Sequence, residues 1–467
     1  MARRQSAKAK ASMSQAKIIG YAAGMKRICA SAARISTTEG DAIDIYEGSC
    51  DEDKNAKLIK KVLDSGHKSF IEHAYFTIAF CNVSAAFEQF LIEFRLASFT
   101  IKSRRYVDFG RMGYYVPSDL DPVQLEAYTS HMDYLFSEYN FLIESGIPKE
   151  DARFVLPYCF YSNFYCTVNA RELIHILRAI RYGHGKGFAE FAHLADSLVD
   201  QMKTLFPPFI DEIDFYNYPK DLFLEYTDMQ ERNNAINPAA HKVTLFASPD
   251  NPAESIANAY FRSRGYTQYF HSKGKKYHHD IDMVIQRIMS GKERSRELEQ
   301  IYYTFLIDDI TLSGITHIVR HRMQSILVPT LLRTKTHCYI LPRTISSNRK
   351  ICARYADVFH KTADAVDSLG FFGAQQAHKV YFCLSGNTLD IQTTINAREL
   401  LVLCKLRCCA RAQWEIRAIA TEMLAQVRSH FPELFRYFGP SCYVDKHCPE
   451  GKLSCGNMAE IARLFSV

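Results

Sequence analysis

At residue 242 the sequence starts again. KVTLFASPDNPAESIANAYF repeats the apolar run and helix-like spacing of residues 16–36, at a separation of about 225 residues. NARELIHILRAIRYGH from Asn169 and NARELLVLCKLRCCARAQWEIR from Asn396 stand at a similar separation. A period this long is not that of a solenoid, whose units run to tens of residues. What is repeated is a whole domain, so any fold proposed for one half must serve the other. The 467 residues suit such a pair. The expected division is a basic tail over 1–15, a first domain over 16–225, a polar linker YTDMQERNNAINPAAH over 226–241, and a second domain over 242–467.

Composition narrows the class. With 47% hydrophobic and 23% charged residues, each domain has material for a buried core. The formal charge of +6 is mild, and the first ten residues hold four basic side chains and no acid. That gives a nucleic-acid partner little electrostatic support. No run approaches the ~20 apolar residues of a membrane span, and no apolar leader is present near the start. Fourteen Cys without such a leader point to a reducing compartment, so a cytoplasmic location is expected, with most thiols acting as small buried hydrophobes.

Along the first domain, residues 57–64 have helical spacing, and Ser65-Gly66 provides a stop. Phe76, Ile78 and Phe80 alternate as in a strand, residues 83–96 return to helical spacing, and YYVP at 114–117 reads as a short strand. Residues 119–147 form a long amphipathic pattern ending at Gly146 and Pro148. After Pro157 an aromatic run to Cys166 suggests a strand, and a helix begins at Asn169. On that helix Arg171, His175 and Arg178 fall in one stripe, which suits either an anion-lined cleft or a solvated face. The fold class is α+β, two copies of a mixed sheet with long helices.

Two constellations carry chemistry. Ser98, Ser103, Arg104, Arg105 and Tyr106 crowd one loop, where hydroxyls and guanidinium forks suit a phosphate dianion. In the second copy ITHIVRHR places Arg320, His321 and Arg322 together ahead of Ser325. Set beside HxSxxEH at His67, Ser69, Glu72 and His73, and beside Arg153, Asn169 and Arg171, these residues resemble the signatures of the flavin-dependent thymidylate synthases. In that family HxSxxEHxxFTF leads to RHRxxSxNxxSxRY, and a later segment reads ARxVLP followed by NARxLxHFL.

Neither copy is complete. The first has Glu93 and Phe94 in place of the first two residues of RHR, Thr100 for the Asn, and Ile180 where the second copy has Arg407. The second has RHR but carries Leu327, Thr330, Leu332 and Arg333 at the Asn, Ser, Arg and Tyr positions. The losses are complementary. The family builds each site between subunits of a homotetramer, so the resemblance implies a fused pseudo-dimer that pairs again into a homodimer of tandem chains. Half of the four sites would then be whole.

The resemblance implies FAD as cofactor, NADPH and methylenetetrahydrofolate as co-substrates, and dUMP as the nucleotide methylated to dTMP. It places Ser103, Arg105, Arg153, His317, Arg320 and Arg407 on dUMP, with Ser103, Arg105 and Arg407 nearest the chemistry. His67, Ser69, Arg171, His175, His184, His321, Arg322 and Arg398 fall on the flavin. His317 stands where the family usually has Gln, and Ile101 replaces a polar position beside Thr100. Those changes leave room for a methylase of another pyrimidine nucleotide, and wider decay would leave a nucleotide- or RNA-binding paralogue. In the C-terminal CYVDKHCPEGKLSC, Cys442, His447, Cys448 and Cys455 lack the usual spacing of metal-ligand pairs, so no metal is expected.

Overall fold

The fold is taken from a computed structural model, which describes residues 13–214, 236–266, 275–291, 295–371 and 373–466. The basic residues of the tail up to position 12 and most of the expected linker lie outside these. The described residues divide into two compact units. The first runs to Asn237 and also takes Thr330–His337 and Leu341–Asn387; the second holds Pro238–Pro329, Cys338–Ile340 and the chain from Thr388 onward.

The first unit is built on four antiparallel strands, β1 (Gln15–Tyr21), β2 (Tyr75–Ser84), β3 (Ala97–Ile101) and β4 (Tyr161–Asn169), in the order β1-β2-β4-β3. A second sheet uses β5 (Asn237–Ala239), β6 (Lys242–Ala247), β7 (Tyr302–Thr311), β8 (Gln324–Leu327), β9 (Lys335–Ile340) and β10 (Asn387–Asn396). Its order is β5-β9-β10-β7-β6, with β8 also on β10. The run β6-β7-β10-β8 therefore repeats β1-β2-β4-β3.

The repetition extends to single bonds. Asn82 and Asp309 both take positive φ (51° and 55°) where the two sheets shift register. Asn and Asp tolerate this left-handed backbone better than other side chains, and each is held by an amide or carboxylate across the sheet. Ser84 and Thr311 then cap the next helix. Behind each cap a buried carboxylate, Glu190 or Glu415, accepts the cap residue's own N–H at 2.7 and 2.8 Å. These caps explain why the helix after β2 covers only Ala85–Ile92: Val83 and Ser84 still belong to the strand. Asn169 and Asn396 cap the helices Ala170–Arg181 and Ala397–Arg407 through the N–H groups of Glu172 and Glu399. The YYVP segment contributes only an isolated bridge from Tyr114 to Phe160.

The helix Pro122–Glu144 starts on a capping box at Asp121 and Gln124. Against it lies the second copy's own helix Arg349–Leu369, which is why that segment belongs to the first unit. Arg354 grips Glu138 with two bonds of 2.6 and 2.8 Å, and its guanidinium sits 3.6 Å from the Phe141 ring centroid. Beneath them Leu156–Tyr158 meets Cys383–Ser385. Pro157 bridges Leu384, Ser385 N–H reaches the Leu156 carbonyl at 2.9 Å, and Tyr158 N–H reaches that of Cys383 at 2.8 Å. Gly386 permits this approach, since a Cβ there would lie 2.9 Å from the Phe154 Cβ and 3.1 Å from its carbonyl oxygen. Gly386→Ala is expected to destabilise the protein by about 1–3 kcal/mol through overpacking, read as a lower midpoint in thermal unfolding.

Candidate active site

The loop after β3 separates two arginines that are adjacent in sequence. Arg104 turns inward, forms a 2.7 Å ion pair with Glu88, and lies over the Phe160 ring. Glu88 also accepts from Ser162, and both charged side chains are almost fully buried. Arg105 stays half-buried and donates from Nε to Glu150 at 2.8 Å. Its backbone N–H bonds to the Ser103 hydroxyl at 3.3 Å, which sets the loop's turn. Arg153, buried to 3% exposure, donates to the Glu150 carbonyl at 3.1 Å. Glu150 thus holds Arg105 through its carboxylate and Arg153 through its backbone carbonyl, with Ser103 joined to Arg105 through that residue's N–H. The sequence offers no sign of Glu150's role, because an acid in the first turn of a helix is ordinary there.

The basic stripe on helix Ala170–Arg181 is matched by acids. Arg171 pairs with Glu72 at 2.5 Å, His175 lies 3.5 Å from Glu172, and Arg178 lies 3.4 Å from Glu212. Arg171 and His175 remain largely exposed, as do His67 and Ser69 beside the turn Ser69–His73. Phe94 fills the middle position of the missing RHR. Its ring centroid is 5.3 Å from His175 and 6.2 Å from His184, and His184 lies 4.7 Å from Phe90. These surroundings and His175 lower the pKa of His184. Desolvation pushes Glu93, at the first RHR position, up to about 8.

In the second copy the same positions are polar. His321 is 4% exposed; its Nδ1 lies 3.2 Å from Glu399 Oε1, and Arg407 Nε lies 3.0 Å from its Nε2. A guanidinium can only donate, so Nε2 accepts and the ring proton sits on Nδ1, facing Glu399. Burial lowers the His321 pKa, Glu399 opposes this, and Arg407 adds to it, which keeps the ring neutral near pH 7. Arg407 also donates to the His317 carbonyl at 3.3 Å. The chain Glu399–His321–Arg407 therefore fixes one guanidinium. In the first copy Phe94 and Ile180 replace the last two members, and Glu172 turns to His175 and the Leu96 N–H.

Arg320 and Arg322 flank buried His321 and are exposed. Arg398 pairs with Glu299 at 2.7 Å, the same pairing as Arg171 with Glu72. Glu299 is thus the surviving trace of HxSxxEH in the second copy, unrecognisable from sequence because its His and Ser neighbours are gone. Both copies present N–H donors and positive charge, a set that fits polyanions such as a nucleotide phosphate or a flavin pyrophosphate.

The family model for thymidylate synthase complementing protein matches this chain twice, over residues 17–208 and 244–433. The chain belongs to that family, as two tandem copies. The flavin-dependent thymidylate synthase of Geobacter sulfurreducens is 35% identical over 190 residues, covering 40% of this chain and 81% of its own length. That of Clostridium tetani is 30% identical over 203 residues, with the same shares. A solved UMP/dUMP methylase of Streptomyces cacaoi aligns with 43% of this chain and 94% of its own, at 26% identity and a TM-score of 0.37. Membership of this family implies a flavin cofactor. Among the described residues no helix is long and apolar enough to cross a membrane.

The two loop arginines are expected to respond differently to truncation. Arg104→Ala leaves Glu88 buried without its partner and should cost about 3–5 kcal/mol. Arg105→Ala breaks a partly exposed pair and should cost about 1 kcal/mol or less. Denaturant unfolding of the two variants measures the difference.

Proposed function

We propose that the chain methylates dUMP to dTMP, with FAD as cofactor and NADPH and methylenetetrahydrofolate as co-substrates, at composite sites that draw residues from both copies. The observation that carries this reading is the complementary retention of two constellations. The first copy keeps Ser103, Arg105 and Arg153, the two arginines bonded to Glu150, whereas the second keeps Arg407 held by His321 and Glu399.

In this reading Arg105 and Arg153 bind the nucleotide phosphate. Glu150 orients Arg105 and yields it to the dianion, whose charge is larger. Ser103 shapes the loop and positions the nucleotide; with no base bonded to its hydroxyl it is not a nucleophile. Arg407, with Arg320 and His317, contacts the same nucleotide, and neutral His321 sets its orientation. His67, Ser69, Arg171, His175 and His184 of the first copy, with Arg322 and Arg398 of the second, would hold the flavin; His321, expected beside them, is buried with both ring nitrogens engaged and acts on Arg407 instead. When bound, the flavin would supply the redox chemistry that links NADPH to reduction of the transferred one-carbon unit. The protein's part is orientation and charge. Two tandem chains pair as a homodimer, which supplies the family's four-domain assembly.

The test is dTMP formation by Arg105→Ala and Arg407→Ala, which lie in different copies. If every working site needs both copies, each variant should lose on the order of 10²-fold or more. Retention of about half the activity in either variant would mean that each copy works alone, contrary to the composite reading. Mixing the two inactive variants should restore part of the activity if sites form between chains.

A further inference from the structure

Glu399 stands in the first turn of the helix Ala397–Arg407, and Arg407 ends it. The helix rise sets them about 12 Å apart along the axis, too far for the pairing of neighbouring turns. His321 bridges them from outside the helix. Its Nδ1 lies 3.2 Å from Glu399 Oε1, and Arg407 Nε donates to its Nε2 at 3.0 Å. The ring's own turn is also pinned. The His321 N–H bonds to the Ile318 carbonyl at 3.0 Å, and Gln324 donates to that carbonyl at 2.7 Å while accepting from Thr393. A side chain so enclosed has little freedom to turn away from either partner.

We propose that Glu399 is a positioning residue for methylation: through His321 it holds Arg407 in place, and a second proton on His321 releases it. This rests on Arg407 contacting dUMP, as proposed for the nucleotide site. Glu399 accepts from Nδ1–H and so leaves Nε2 without a proton, the form of the ring that accepts from a guanidinium. An imidazolium carries N–H groups at both positions. Its Nε2–H would point at the Arg407 Nε–H, setting two donors and two positive charges against each other. The guanidinium then loses its fixed direction.

Burial and Arg407 oppose protonation of the ring, and Glu399 favours it. Other charged groups on the elements packed here are engaged elsewhere: Arg398 with Glu299, Lys405 with Asp445, and buried Glu415 with Thr311. Arg320 and Arg322 flank His321 and are exposed, while His317 offers its carbonyl to Arg407. Because burial holds the His321 pKa below its usual value, the arrangement is intact at neutral pH and fails as pH falls through that lowered value. The first copy shows that the acid alone does not make the device. Glu172 is kept there, but with Phe94 and Ile180 opposite it turns to the Leu96 N–H and to His175.

The test measures dUMP binding to the full, FAD-loaded chain by calorimetry, from about pH 8 to about pH 5. The dUMP phosphate itself takes a proton at about pH 6, so the readout is the difference between wild type and His321→Gln. Gln still offers Arg407 an acceptor but does not titrate. Wild-type affinity should fall more steeply in acid, with an excess loss on the order of tenfold at about pH 5. Glu399→Gln still accepts from Nδ1–H but lacks the charge that favours protonation, so its excess loss should set in at lower pH than in wild type. This second variant tests the proposal even where His321→Gln does not fold. In an Arg407→Ala background neither change should alter the profile. Identical acid profiles for wild type and His321→Gln would overturn the proposal and leave dUMP methylation standing. A Glu399→Gln profile that stays in place or moves to higher pH would overturn it too. Failure of wild type to bind dUMP at any pH would instead remove the function on which the proposal rests, and the proposal with it.

Discussion

In the first unit, segments of the two copies are joined by one short antiparallel contact, Leu156–Tyr158 against Cys383–Ser385. The two segments hold equivalent places in the two copies: each leads through a turn into the central strand, β4 or β10. A segment that pairs with its own counterpart is the hallmark of a self-complementary interface, such as joins identical subunits. Here it occurs inside one chain. The backbone bonds fix the approach, Gly386 makes room for it, and the helices Pro122–Glu144 and Arg349–Leu369 close over it through Arg354 and Glu138.

With segments of both copies joined in one chain, the two copies are free to diverge. The framework has not done so: Glu190 and Glu415, Glu72 with Arg171 and Glu299 with Arg398, and Thr77 with Thr167 and Thr304 with Thr394 are matched bond for bond. Divergence is concentrated where ligands would bind. The first copy spends a buried ion pair, Arg104 with Glu88, on shaping its loop, and fills the other centre with Phe94 and Ile180. The second copy has Leu331 and Ile315 at the positions of that pair and keeps the polar chain through His321. Under the composite arrangement we propose, each copy has discarded what the other still supplies.

The duplication, the strand at Phe76, the helix from Asn169 and the long helix after Asp121 were legible in the sequence, because periodicity and capping residues are local signals. So were the matched motif positions. What was not legible is who partners whom. Of two adjacent arginines, Arg104 is structural and Arg105 faces the candidate site, a distinction set by Glu88 and Glu150 from distant segments. Glu399 reads as a helix former, yet it fixes the tautomer of His321. The stripe of Arg171, His175 and Arg178 reads as a cationic cleft or a solvated face, but the fold brings Glu72 to Arg171 and Glu212 to Arg178, while His175 lies by Glu172 of its own helix. Long-range ion pairing leaves no period in a sequence, so these roles appear only once the chain is folded.

The account turns on how many flavin sites the two incomplete copies make together. The most direct measurement is the visible absorbance of the purified chain after FAD loading, with flavin quantified per polypeptide. Composite sites assembled from complementary halves predict about one FAD per chain. Two per chain would mean that each copy holds its own flavin despite Phe94 and Ile180, and would contradict the account.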